Sequence, residues 1–99
     1  MFDLINKFGD IKKKMDEIKS RLDLISVEGE AGAVKVTVTA NRKVKSISID
    51  ESLLNPNCKE ELQELLETAL NRALTNAEQV SETEMKAAGK DFLPGFPGF

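Results

Sequence analysis

Apolar positions along this chain follow three successive rhythms, and each rhythm predicts one element. Leu4, Phe8, Ile11, Met15, Ile18, Leu22 and Ile25 recur alternately four and three residues apart. That heptad stripe predicts an N-terminal amphipathic helix about 35 Å long at the usual rise per residue. From residue 34 the period drops to two: Val34, Val36 and Val38 alternate with Lys35, Thr37 and Thr39, and Ile47 and Ile49 alternate with Ser46 and Ser48. Such alternation predicts two strands with one apolar face, joined by a short polar turn into a β-hairpin. The helical period then returns through Leu62, Leu65, Leu66, Ala69, Leu70, Ala73, Leu74, Ala77 and Val80, with Glu60, Glu64, Glu67, Glu78 and Glu82 on the opposite side. This second stripe is broader than the first and can face two neighbours at once.

Boundary residues sharpen these elements. Asn55 before Pro56, or Asn57 with Glu60 three residues on, can each start the second helix near residue 57. Gly89 is expected to end it after Ala88, at a length of about 45 Å. Between the first helix and the hairpin, Gly29 and Gly32 predict a turn or bulge, and Val27-Glu28 a short third strand. The fold class is therefore α+β, a long N-terminal helix, a small antiparallel three-stranded sheet and a long C-terminal helix in the order α-β-β-β-α. Residues 1–88 form a single domain, and residues 89–99, rich in Gly, Pro and Phe, a flexible tail. Strands of about six residues span only about 20 Å, so the longer helices overhang the sheet. Their apolar stripes predict a second subunit that completes the core.

Charge changes this picture more than composition does. The chain of 99 residues has a formal net charge of −3, which argues against a generally cationic nucleic-acid binder. The sum hides an asymmetry, however: residues 1–45 hold ten Lys/Arg against seven Asp/Glu, and residues 46–99 four against ten. With Phe8, Met15 and Leu22 at heptad position a, Lys7, Lys14 and Arg21 fall at g and Lys12 and Lys19 at e. Both borders of the seam are basic, so two copies of this helix would repel one another, and it should pack on something else.

Candidate chemistry is sparse. Histidine is absent, which removes the commonest general base and the commonest zinc ligand. The acidic residues fall on solvated helix faces rather than as an inward-facing pair. Neither an enzymatic activity nor a metal, cofactor or small-molecule substrate is expected. Cys58, the only cysteine, cannot form an internal disulfide and has no histidine or second cysteine to activate it. A reducing, cytoplasmic setting agrees with that, as does the lack of a signal peptide and of any apolar run long enough to span a bilayer. The basic residues remain. Lys7, Lys12, Lys14, Lys19 and Arg21 on the first helix, with Lys13 on its back, and Lys35, Arg42, Lys43 and Lys45 on the hairpin, are candidates for phosphate contacts. By charge pattern alone, lysines lying along a seam whose outer face also carries Asp10, Asp16, Glu17 and Asp23 are better explained as solvated borders.

Local phrases add a second line of inference. Val27-Glu28-Gly29-Glu30-Ala31-Gly32, Val34-Lys35-Val36-Thr37-Val38, Ile49-Asp50-Glu51-Ser52-Leu53-Leu54 and Leu93-Pro94-Gly95-Phe96 follow one another through nearly the whole chain. In order and spacing the chain resembles the YbaB/EbfC family of bacterial nucleoid-associated proteins. It departs from the family's habits at Ala40-Asn41, where Asn-Gly is frequent, at Glu51, where proline is usual, and in the acidity of the first helix. The resemblance implies a tweezers-like homodimer that binds duplex DNA in the nucleoid and carries out no enzymatic reaction. Combined with the charge map, it makes the first-helix residues the main phosphate contacts, with Lys35, Arg42, Lys43 and Lys45 assisting. Binding by phosphate contact implies weak sequence specificity. The alternative expectation is a protein-interaction module that uses its apolar helical arms or Phe-rich tail.

Overall fold

A computed structural model describes the backbone of residues 2–92 and the side chains of residues 9–88. Helix α1 (Phe2–Asp23) leads into strands β1 (Ser26–Ala31), β2 (Val34–Thr39) and β3 (Val44–Ile49). Two short 3-10 turns, Glu51–Leu53 and Pro56–Cys58, then precede helix α2 (Lys59–Phe92). The sheet is antiparallel in the order β1-β2-β3. The α-β-β-β-α order is thus as the hydrophobic rhythms predict, and the described residues extend 66 × 22 × 17 Å.

Val34, Val36 and Val38 of the central strand are fully buried. Each contributes about 2 kcal/mol by leaving water. Cross-strand pairing places Val27, Gly29 and Ala31 of β1 opposite Val38, Val36 and Val34. On the other side of β2, Val44, Ile47 and Ile49 oppose the same three valines. Directly opposed residues share a face, so the apolar side of the sheet has three columns. Lys45 is an extra residue at a bulge between the Thr37–Ser46 and Val38–Val44 pairs, and this bulge turns Val44 to the apolar side.

Helix α2 lies across β1 and β2, with Ala69, Ala73 and Ala77 fully buried against them. These small side chains bring the helix backbone close to the sheet. Gly29 was expected in a turn or bulge, but it sits mid-strand under this contact, and β1 runs six residues rather than the two of Val27-Glu28. A Cβ at residue 29 would collide with the carbonyl oxygen of Ala69 and the amide nitrogen of Ala73. Close backbone approach, rather than chain reversal, explains this glycine. Gly32 does make a turn: it opens the two-residue β1–β2 loop with a φ of 54°.

Farther along, Val80, Met85 and Ala88 of α2 pack on Ile18, Leu22 and Ile25. One helix therefore serves the sheet with its first half and α1 with its second, which accounts for the breadth of its apolar stripe. The second helix starts by the Asn55 route: its side chain accepts from the amide of Asn57 at 3.0 Å, with Pro56 at the first position of the turn. Its end differs from expectation, because the helix passes through Gly89 to Phe92. One interior glycine costs about 1 kcal/mol, too little to stop a helix of this length by itself. Of the tail expected at residues 89–99, residues 89–92 continue α2, and the remainder lies outside the described residues.

The two edges of the sheet are unlike. Along β1, Arg72 and Asn76 of α2 donate to the carbonyls of Glu30 (2.7 Å) and Glu28 (2.8 Å). These bonds occupy acceptors that another strand would need. The β3 side is more open: α2 packs mainly on β1 and β2, and Val44 and Ile47 are 51% and 48% exposed.

Candidate nucleic-acid interface

The basic residues singled out by sequence separate into three groups with different surroundings. Lys12, Lys14 and Lys19 are exposed on α1, and among the described residues none is within ion-pairing distance of a carboxylate. Lys12 and Lys19 lie seven residues apart, on the same side of the helix about 10 Å from one another. Lys13 is also exposed. The side chain of Lys7 lies outside the described residues.

A second group is already engaged with acidic partners. Arg21 reaches across to α2, where its Nη1 is 3.2 Å from Glu84 Oε2. Lys35, on the polar face of the sheet, lies between Glu30 (3.3 Å) and Glu28 (3.6 Å) of β1. Its ammonium is held above the ordinary lysine range by the hydrogen bond to Glu30 and then by the charge of Glu28. Bracketed by two carboxylates, this lysine brings no net positive field to its face. Lys45 donates to the Ser26 hydroxyl at 2.9 Å across the same polar face.

The third group is the β2–β3 turn. Thr39 and Lys43 are bridged by the bond from the Thr39 amide to the Lys43 carbonyl (2.8 Å), and the Arg42 amide donates to the Thr39 carbonyl (2.8 Å). This is a three-residue loop, Ala40-Asn41-Arg42, and it is seated on the C-terminal part of α1. Ala40 is buried beside Ile18 and Leu22, and its amide donates to the Ile25 carbonyl at 3.0 Å. Asn41 Nδ2 donates to the Lys19 carbonyl (2.9 Å) and to Asp23 Oδ1 (2.6 Å). Lys43 Nζ is 3.7 Å from the same Asp23 oxygen. Arg42 is exposed at the tip, with no carboxylate partner among the described residues.

The fold therefore brings Lys12, Lys19, Arg42 and Lys43 to one border of α1, with Asp23 accepting from Asn41 and facing Lys43. Asp16 also lies on this border, and exposed. Lys14 and Arg21 occupy the other border, and Lys35 and Lys45 a separate face of the sheet. Asn41 was read from sequence only as part of a polar turn. Nothing local signals its role, because the carbonyl it binds belongs to a helix some twenty residues earlier.

Among the described residues no helix is long and apolar enough to cross a membrane, and no group of three or more His, Cys, Asp or Glu side chains is arranged to hold a metal ion. Cys58 is half-buried, its Sγ 3.7 Å from the Ser52 carbonyl.

Comparison with known proteins gives this surface its context. The chain is 40% identical over 97 residues to a nucleoid-associated protein of Flavobacterium johnsoniae, covering 96% of this chain and 90% of that one. It is 40% identical over 99 residues to one of Bradyrhizobium sp., covering 97% and 92%. Its fold is similar to the crystal structure of an uncharacterized protein from Helicobacter pylori, with a TM-score of 0.76 at 22% identity over 85% of this chain and 90% of that one. The YbaB/EbfC DNA-binding family matches residues 1–92. This chain belongs to that family.

Proposed function

We propose that the protein is a homodimer of the bacterial nucleoid that holds duplex DNA mainly by its phosphates, with weak sequence specificity. The observation that carries this reading is the set of exposed lysines on α1, Lys12, Lys14 and Lys19, which have no acidic partner among the described residues. Family membership supports DNA as the ligand. Relatives named nucleoid-associated proteins support the location. Lysine side chains on a helix surface offer point charges on flexible stems, suited to phosphates rather than to base edges. Lys12, Lys14 and Lys19 are the main contacts in this reading, with Lys7 included on its heptad spacing from Lys14 alone and Arg42 and Lys43 adding to them at the C-terminal end of α1. Arg21, Lys35 and Lys45 contribute less, because each already has a partner.

Dimerisation rests on the more open β3 side of the sheet. Val44 and Ile47 stand half-exposed in the same column of the sheet as Ile49, an apolar strip that a second copy can bury. Fluorescence anisotropy with a labelled duplex at two salt concentrations tests the reading. Affinity should fall steeply with salt and vary little between sequences of equal length. No binding at low salt would favour a protein-interaction module instead.

A further inference from the structure

Arg42 has a φ of 64° and is the one non-glycine residue with positive φ among the described residues. It occupies the third position of a three-residue hairpin loop, where the backbone turns left-handed and glycine is the residue of least strain. An L side chain there costs about 1 kcal/mol or more. Residues kept in such conformations are held by their surroundings, and they cluster where a side chain is put to use. Here the surroundings are unusually firm for a loop. Ala40 is buried, and Asn41 ties the loop to both the Lys19 carbonyl and the Asp23 carboxylate. The strained residue is an exposed arginine, in a loop anchored to the helix that bears Lys12 and Lys19.

Resting on the DNA-binding reading above, we infer that Arg42 is a pre-positioned phosphate clamp at the root of the helical arm, and that Asn41 is the residue that positions it. A guanidinium offers paired donors that match two phosphate oxygens, which a lysine at the same place cannot do. Fixing the loop in advance removes ordering cost from binding. Lys19, whose own carbonyl receives the Asn41 amide, brings a second cation to the same border. The arm thus has a flexible set of contacts along α1 and one rigid contact at its base.

Four variants of the full chain, titrated into one labelled duplex over a salt series, test this. Arg42→Gly removes the clamp and relieves the backbone, so its melting temperature should hold or rise while affinity falls on the order of tenfold, the scale of one charge-assisted hydrogen bond. The slope of log affinity against log salt should drop by about 0.9. Arg42→Lys should recover only part of the affinity. Lys86→Gln removes one exposed charge from α2, outside the candidate interface, and should bind like the parent. Asn41→Ala leaves net charge unchanged, yet should weaken binding several-fold in the parent and not further in the Arg42→Gly background, as expected for residues acting as one unit. Equal losses in Arg42→Gly and Lys86→Gln, or an affinity loss that comes with dissociation to monomer in light scattering, would overturn the clamp. An Asn41→Ala loss of the same size in both backgrounds would overturn the positioning role. Parent protein that fails to bind at low salt overturns the clamp together with the reading beneath it, whereas a parent that binds beside an unaffected Arg42→Gly overturns the clamp alone.

Discussion

Gly29 lies so close beneath Ala73 that a methyl group on the strand would overlap the amide nitrogen of the helix. Neither partner can yield by turning a side chain, because both sides of the contact are backbone. Gly29→Ala should therefore lift α2 from β1 and loosen the bonds from Arg72 and Asn76 that seal the strand edge. The expected loss is about 3 kcal/mol, at the upper end of overpacking costs, read as a lower urea midpoint. Gly9 is the counter-case, since nothing lies within 4 Å of its virtual Cβ in the middle of α1. Gly9→Ala should stabilise by roughly 0.5–1 kcal/mol.

This pair also marks how far the fold was legible in sequence. The strands were readable because Val34, Val36 and Val38 alternate within a few residues, and α1 because its heptads run unbroken. The start of the second helix near residue 57 was readable for the same reason, because both caps on offer, Asn55 with Pro56 and Asn57 with Glu60, are local signals; the structure takes the first. Gly29 was misread because its partner stands some forty residues away. Gly89 was misread because a glycine can end a helix or merely weaken it, and the sequence does not distinguish the two. The candidate interface shows the same division. That Lys12 and Lys19 share a face follows from spacing, whereas the acidic partners of Arg21 and Lys35, and the seat of Asn41 on α1, depend on tertiary contacts no local pattern encodes.

The β3 column makes a prediction about assembly. Light scattering coupled to gel filtration should give twice the 10.9 kDa chain mass at micromolar concentration. Ile47→Asp places a charge in the middle of the exposed apolar strip and should return the monomer mass with the helical circular-dichroism signal retained. A variant that stays dimeric would place the subunit contact elsewhere.

Asp50 supplies a pH-dependent contribution to folding. Its carboxylate accepts from the hydroxyl and the amide of Ser52, and these bonds hold its pKa below the ordinary 3.8. A depressed carboxylate pKa stabilises the fold above the unfolded value, and that contribution is lost as pH falls through the folded one. Asp50→Asn keeps an acceptor but cannot ionise. Thermal melts should show the parent ahead of this variant at neutral pH, with the difference closing below about pH 4.

The decisive test of the arm compares two pairs of lysines at equal change in charge. Lys12→Gln with Lys19→Gln removes two cations from α1 that have no acidic partner among the described residues. Lys59→Gln with Lys86→Gln removes two exposed cations from α2. If affinity followed net charge alone, both doubles would weaken duplex binding alike. Local phosphate contacts predict otherwise. The α1 double should lose about 1.8 from the slope of log affinity against log salt, two contacts at about 0.9 each, while the second double stays within experimental error of the parent. Folding is expected to survive in both, since single exposed lysines contribute little to stability. The comparison is also directional: a larger loss in the Lys59 and Lys86 double would move the DNA from α1 to α2.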